Sequence, residues 1–178
     1  GEAGPGLNVT IDKWSFASGS VNATDVGDVT VAREKAAGCS SLTYGYTAAG
    51  IEGAGGNPPY SNVIDRFAFA SDGNASDVGD TAYVLTAPTG VSSRTYGYTV
   101  GGGYPQTNYI TKFSFASNGN SSDIANLTVA RKGLGACASA TYGYCIGGTT
   151  NSTAQATDII EKWTFASDSD ATDVGNLA

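Results

Sequence analysis

The side chains able to do chemistry in this chain are few: four glutamates (Glu2, Glu34, Glu52, Glu161), a recurring aspartate, three cysteines and no histidine at all. Without imidazole, Ser-His-Asp and Cys-His nucleophile systems and the common histidine-bearing metal sites are excluded for this chain alone. Hydrolysis by two carboxylates needs only a pair of acids at a set separation. None of the glutamates recurs or sits in a recognisable acid motif, so the chain is expected not to be an enzyme and to need no cofactor. The recurring Asp25, Asp77, Asp123 and Asp173 are expected to accept backbone N–H bonds and hold a turn after a hairpin. Asp168-Ser169-Asp170 followed by Asp173 leaves calcium as the alternative, because hard cations favour clustered oxygens.

Charge narrows the partners. Nine Lys and Arg against sixteen Asp and Glu give a net charge of −7, the wrong sign for a polymer of phosphates that basic side chains must neutralise. No nucleic acid is expected. No apolar run approaches the roughly 20 residues that span a bilayer, and GEAGPG at the N-terminus is neither a basic flank nor an apolar signal core. Hence a soluble chain without membrane insertion is expected. With no Met anywhere, it is read as a mature, excised or incomplete product.

The elements that hold these residues come in a repeat. The phrase IDKWSFASGSVNATDVGD from Ile11 returns as IDRFAFASDGNASDVGD from Ile64, ITKFSFASNGNSSDIAN from Ile110 and IEKWTFASDSDATDVGN from Ile160. Its phenylalanines, Phe16, Phe69, Phe115 and Phe165, are 53, 46 and 50 residues apart. A second anchor, T-Y-G-Y, begins at Thr43, Thr95 and Thr141; the step from phenylalanine to the next T-Y-G-Y tyrosine is 28, 27 and 27 residues, and from that tyrosine onward 25, 19 and 23. All the large length variation therefore falls in one loop. A period near 50 means units that cannot cover their apolar surface alone and must stack.

Alternation in I-x-[KR]-[WF]-x-F-A-S places Trp14 and Phe16 on one face and Ile11, Ser15 and Ala17 on the other, a strand period. The chain reads all-β, four short strands to a unit. The third strand is expected at Ile64–Ser71 and the fourth at Ala75–Val84, with the next unit opening at Gly90–Arg94 and Tyr96–Gly101. Both sheet faces carry apolar residues, aromatic on one and small on the other, so successive sheets are expected to stack large on small. Cys39 and Cys137 occupy the same place in the repeat and should face the same way, which favours buried free thiols over a disulfide.

A basic residue before the first strand (Arg33, Arg131), a Y-x-Y strand running into a glycine pair (Gly101-Gly102, Gly147-Gly148) and an aromatic strand after a variable loop together resemble the kelch repeat of β-propellers. The resemblance runs from about Val9 to the end, and extends to kelch-like repeat proteins of marine bacteriophages, where closely similar phrases recur. Leu85 in place of the basic residue and Ala49-Gly50 in place of a glycine pair depart from it. The organisation expected is a lead-in (1–8), a half blade of strands three and four (9–35) and blades at 36–84, 85–130 and 131–178. That is a kelch-like β-propeller arc of about three and a half four-stranded blades. Propellers close with four to eight, so further blades from a longer chain or another copy are needed to complete a ring.

The resemblance implies a non-catalytic recognition or structural module, of a phage-type virion fibre or another extracellular surface. In an up-and-down blade the loop between strands two and three emerges beside the connection to the next blade. The candidate binding residues are accordingly Tyr60, Tyr104, Gln106 and Asn151 in the variable loops, with Arg33 and Arg131 beneath them, facing a glycan or protein surface. Two alternatives stay open, a purely structural repeat without a ligand and a carboxylate-based glycan hydrolase. Sequons at Asn74 and Asn120 are read first as hairpin residues.

Overall fold

The computed structural model describes residues 6–17, 22–52, 59–103, 105–150 and 155–178. It is all-β with no helix among them, in four antiparallel sheets. The first has two strands, β1 (Thr10–Lys13) and β2 (Thr24–Asp28). The second comprises β3 (Ala37–Ser40), β4 (Tyr44–Ile51), β5 (Tyr60–Ala68) and β6 (Ser76–Asp80). The third holds β7 (Thr89–Ser92), β8 (Tyr96–Val100), β9 (Tyr109–Ser114) and β10 (Ser122–Asn126). The fourth holds β11 (Gly135–Ala138), β12 (Tyr142–Ile146), β13 (Ile159–Thr164) and β14 (Thr172–Asn176). Within each sheet the strands pair with their sequence neighbours.

Two sequence phrases explain the sheets. In T-Y-G-Y the glycine pairs across the sheet with the aromatic of the third strand: Gly45 with Phe67, Gly97 with Phe113, Gly143 with Trp163. The ring lies so close over the glycine that any Cβ there would collide with it. In D-[VI]-[GA] the fourth strand carries one extra residue, so that Asp65 faces Asp77 while Ile64 faces Gly79, and the same shift recurs in all four sheets. The phrase encodes a β-bulge. The fourth strand is shorter than the expected 75–84, at Ser76–Asp80, and pairing of Tyr60 with Ile51 starts the third strand earlier than expected.

Trp14 and Phe16 fall just beyond β1, not within a strand. The equivalent Phe67 is held in β5 by Gly45; among the described residues β1 has only β2 as partner.

Successive sheets stack ring on ring, not large on small. Tyr46 lies 4.8 Å from Phe115 and 5.5 Å from Phe113 of the next sheet, and Tyr98 lies 5.2 Å from Phe165 and 6.0 Å from Trp163. The small residue is spent inside the sheet, beneath the third-strand aromatic. Buried clusters form at both junctions, around Tyr46, Ile64 and Phe113 and around Tyr98, Ile110 and Trp163. The first strands β3, β7 and β11 also approach one another. At the last strands, backbone bonds tie one sheet to the next hairpin, as in Ala75 N–H to Asp28 O (2.7 Å) and Ser121 N–H to Asp80 O (2.7 Å).

Near the first strands a second belt of backbone bonds runs from sheet to sheet, Ala87 N–H to Lys35 O and Gly133 N–H to Ala87 O, both 3.1 Å. Lys35, Ala87 and Gly133 hold the same left-handed backbone, φ 55°, 51° and 63°. That geometry suits glycine and costs an L-residue about 1 kcal/mol. Ala87→Gly keeps both hydrogen bonds and should raise the unfolding free energy by about 0.5–1 kcal/mol, read by urea denaturation; an unchanged or lower midpoint would show that the backbone is not strained there.

Candidate functional site

The loops after β4, β8 and β12 and the connections after β2, β6 and β10 come together at one end of the strands. Glu34 and Ile51 exchange backbone bonds there, Lys132 and Thr149 do likewise, and Gly102 N–H donates to Arg131 O (2.7 Å). The variable loops are thus anchored at their bases to the neighbouring connections. Tyr60 opens β5 and is half-buried. Gln106 is half-buried too, and its Nε2 has no hydrogen-bond partner among the described residues. Tyr104 and Asn151 lie outside the described residues.

Arg33 and Arg131 are not surface residues, which corrects their place in the expected site. Their side chains are 2% and 0% exposed. Arg33 Nη2 donates to Asp65 (2.9 Å) and to the Thr47 carbonyl (3.1 Å). Arg131 pairs with Glu161 and donates to the carbonyls of Gly147 (2.8 Å) and Ile159 (3.2 Å). The acids are also saturated from the backbone: Thr30 N–H donates to Asp65 (3.1 Å) and Thr128 N–H to Glu161 (2.6 Å). Burial pulls the Arg33 pKa below its ordinary value, opposed by the adjacent Asp65 carboxylate. Each pair staples the connection before the first strand to the third strand, with both guanidiniums buried.

The third sheet solves the same problem without charge. Leu85, 1% exposed, stands where Arg33 and Arg131 stand, and Thr111 replaces the acid. Thr111 Oγ1 bonds Thr99 Oγ1 (2.7 Å) and accepts from Ser121 Oγ (3.2 Å), while Ser121 Oγ accepts the Ala82 N–H (2.8 Å). Both members of the pair have changed together. A buried ion lacking its partner is far more costly than either complete arrangement.

The repeated aspartates act locally. Asp25, Asp77 and Asp173 accept the N–H of the glycine two residues on, at 3.1, 3.0 and 2.9 Å, and so hold the bulge, not the hairpin turn. Where Ala125 replaces that glycine, Asp123 accepts from Tyr83 Oη instead (2.8 Å). Asp168 and Asp170, the acids that suggest calcium, face the preceding sheet separately: Asp168 pairs with Lys112 (2.6 Å) and Asp170 accepts the Asn126 N–H (2.8 Å). Among the described residues no three Asp, Glu or Cys gather as a cation would need. Asn74 and Asn120 occupy the Asp170 place and cap the Asp28 and Asp80 N–H groups (3.1 and 3.0 Å).

All three cysteines are free thiols; Cys39 and Cys145 are buried, whereas Cys137 is exposed, contrary to expectation. Cys39 donates to the Val91 and Tyr98 carbonyls of the following sheet (3.4 and 3.3 Å). Among the described residues no sheet packs on the fourth, and the equivalent Cys137 is exposed. Burial pushes the Cys39 thiol up to about 11 and the Cys145 thiol up to about 12, which leaves both protonated and unreactive at neutral pH. At the opposite end from the variable loops a concavity of about 550 Å³ is lined by Ser41, Ser93 and Ser139. Each of these hydroxyls is spent within its own turn, accepting the N–H three residues on at 2.9 to 3.0 Å.

One feature escaped the sequence. A cleft of about 280 Å³ between the two-stranded sheet and the second sheet is lined by Ile11, Trp14, Phe16, Phe67 and Phe69. The half unit at the start of the repeat was its only signal. Comparison with known proteins gave no matching family model and no matching curated protein.

Proposed function

We propose that this chain is an arc of a kelch-like β-propeller, about three and a half four-stranded blades, acting as a non-catalytic recognition module. Its variable loops between the second and third strands contact a glycan or protein surface, and the repeat phrases favour a phage-type virion fibre or another extracellular surface protein. One observation carries the reading: variation in length is confined to loops whose bases are hydrogen-bonded into a rigid stack, the arrangement in which recognition is usually lodged. Gln106, whose buried Nε2 lacks a partner among the described residues, supplies a donor in one of those loops. Support for the absence of catalysis comes from the buried acids Asp65 and Glu161, tied to arginines, and from the protonated thiols.

Tyr60→Ala with Tyr104→Ala should weaken adsorption to host cells, or to the glycan selected on an array, by about tenfold or more, the loss of an aromatic anchor. Binding equal to the parent chain would remove this face from consideration. A second reading, a structural repeat that serves in assembly, is favoured by the exposure of Trp14 (60%) and Phe16 (97%). Ordered self-association without any ligand would decide for it.

A further inference from the structure

The edge of β1 and the aromatic cleft beside it form a docking site for a β-hairpin of the repeat's own T-Y-G-Y type, we propose, and this stands whether or not the variable loops bind anything. The second, third and fourth sheets each show the arrangement completed. In each, the T-Y-G-Y strand lies against the third strand, its glycine under the third-strand aromatic. In the second and third, its last tyrosine packs on the aromatics of the next sheet, Tyr46 stacked on Phe115 and tilted against Phe113, Tyr98 stacked on Phe165 and edge-on to Trp163. Its first tyrosine lies under a third-strand cation: Arg66 over Tyr44 at 4.5 Å, Lys112 over Tyr96 at 4.9 Å, Lys162 over Tyr142 at 4.8 Å.

At β1 the receiving half of this arrangement is present. Lys13 holds the place of Arg66 and Lys112, and Trp14 the place of Phe113. Phe67 and Phe69, the equivalents of the Phe113 and Phe115 that receive Tyr46 and of the Trp163 and Phe165 that receive Tyr98 in the next junctions, face the cleft, and Phe69 is 50% exposed. Among the described residues β1 pairs only with β2; on its other edge the Thr10 N–H is taken by Asn8 Oδ1 (3.0 Å), and beyond that residue no described strand lies beside it, which leaves a template for strand addition. The cleft continues the junction already formed by Lys13 with Asp72 and by Gly73 N–H with Val26 O (2.7 Å). Register follows from the complete sheets: the incoming glycine lies opposite Trp14, the last tyrosine opposite Lys13 and over Phe67 and Phe69, and the first tyrosine beneath the Lys13 ammonium.

Residues 88–103 of this chain, PTGVSSRTYGYTVGGG, carry both strands of such a hairpin without a cysteine and serve as the probe. Titrated into the whole chain as a synthetic peptide, they should shift the emission of Trp14 to the blue against the constant signal of buried Trp163, and slow amide exchange at Thr10–Trp14. Gly97→Val in the peptide should weaken binding by about tenfold or more, since its side chain would meet Trp14 as any side chain at Gly97 meets Phe113. Because an isolated hairpin is marginally stable in water, the same residues joined to the N-terminus by a Gly-Ser linker give the stricter form at millimolar effective concentration. A Trp14 that stays open to quencher in the tethered chain overturns the proposal, and so does equal binding of the Gly97→Val peptide. Burial of Trp14 that grows with protein concentration alone and resists the peptide would assign the site to a second copy and overturn it too.

Discussion

Arg131→Leu should lower the unfolding free energy by about 3–5 kcal/mol, the cost of leaving one member of a buried ion pair alone. In that variant the buried Glu161 keeps the Thr128 N–H but loses its arginine, the Gly147 carbonyl loses the guanidinium, and the Ile159 carbonyl keeps only the Gly147 N–H among the described residues. Against a typical total of about 5–15 kcal/mol, this is a large share, and the urea midpoint should fall accordingly. The third sheet supplies the repair. Arg131→Leu, Cys145→Thr, Glu161→Thr and Ala171→Ser together rebuild the Leu85, Thr99, Thr111 and Ser121 arrangement in the fourth sheet, with Thr128 N–H in the place of the Ala82 N–H. The combination should recover most of the loss although it removes more of the original contacts, a non-additivity expected of neighbours in one network. A combined variant no more stable than the single one would mean that the ion pair and the hydroxyl chain are not alternative solutions of one packing problem.

The same sheets mark what the sequence made legible. Repeated phrases with their aromatics and glycines at fixed separation placed four sheets along the chain, because cross-strand pairing in an up-and-down sheet is local. Arg33 and Arg131 were misplaced, because what buries them is not local. Asp65 lies 32 residues beyond Arg33 and Glu161 lies 30 beyond Arg131, the acids differ in type, and Leu85 with Thr111 interrupts the series. Had the two interruptions been read as one, the pair would have been visible, since Leu85 and Thr111 depart from the pattern in the same unit. Stacking of ring on ring was hidden for another reason. Gly97 and Phe113 look complementary between sheets, but their complementarity is used across one pair of strands. The variable-loop candidates were located by length variation alone, and of these Gln106 acquires a physical mark, a buried donor unanswered among the described residues.

Trp163→Ala should cost about 3–5 kcal/mol, at the upper end for a buried side chain, whereas Trp14→Ala should cost less than about 1 kcal/mol in the chain by itself. The two tryptophans stand in nearly identical phrases, IEKWTFAS and IDKWSFAS, so no local propensity separates them. The difference is made by their surroundings. Trp163 is 2% exposed, covers Gly143 across the sheet, and meets Tyr98 and Phe165 edge-on at 6.0 and 6.2 Å. Its removal opens a cavity at a junction whose glycine has no side chain with which to fill it. Trp14 is 60% exposed and touches chiefly Phe16, at 6.2 Å, so its truncation returns already hydrated surface to water. Urea denaturation of both variants, followed by the fluorescence of the remaining tryptophan, measures the contrast directly. Equal losses would mean that Trp14 is already covered in solution, and the first sheet would then need a cover other than the edge described for it.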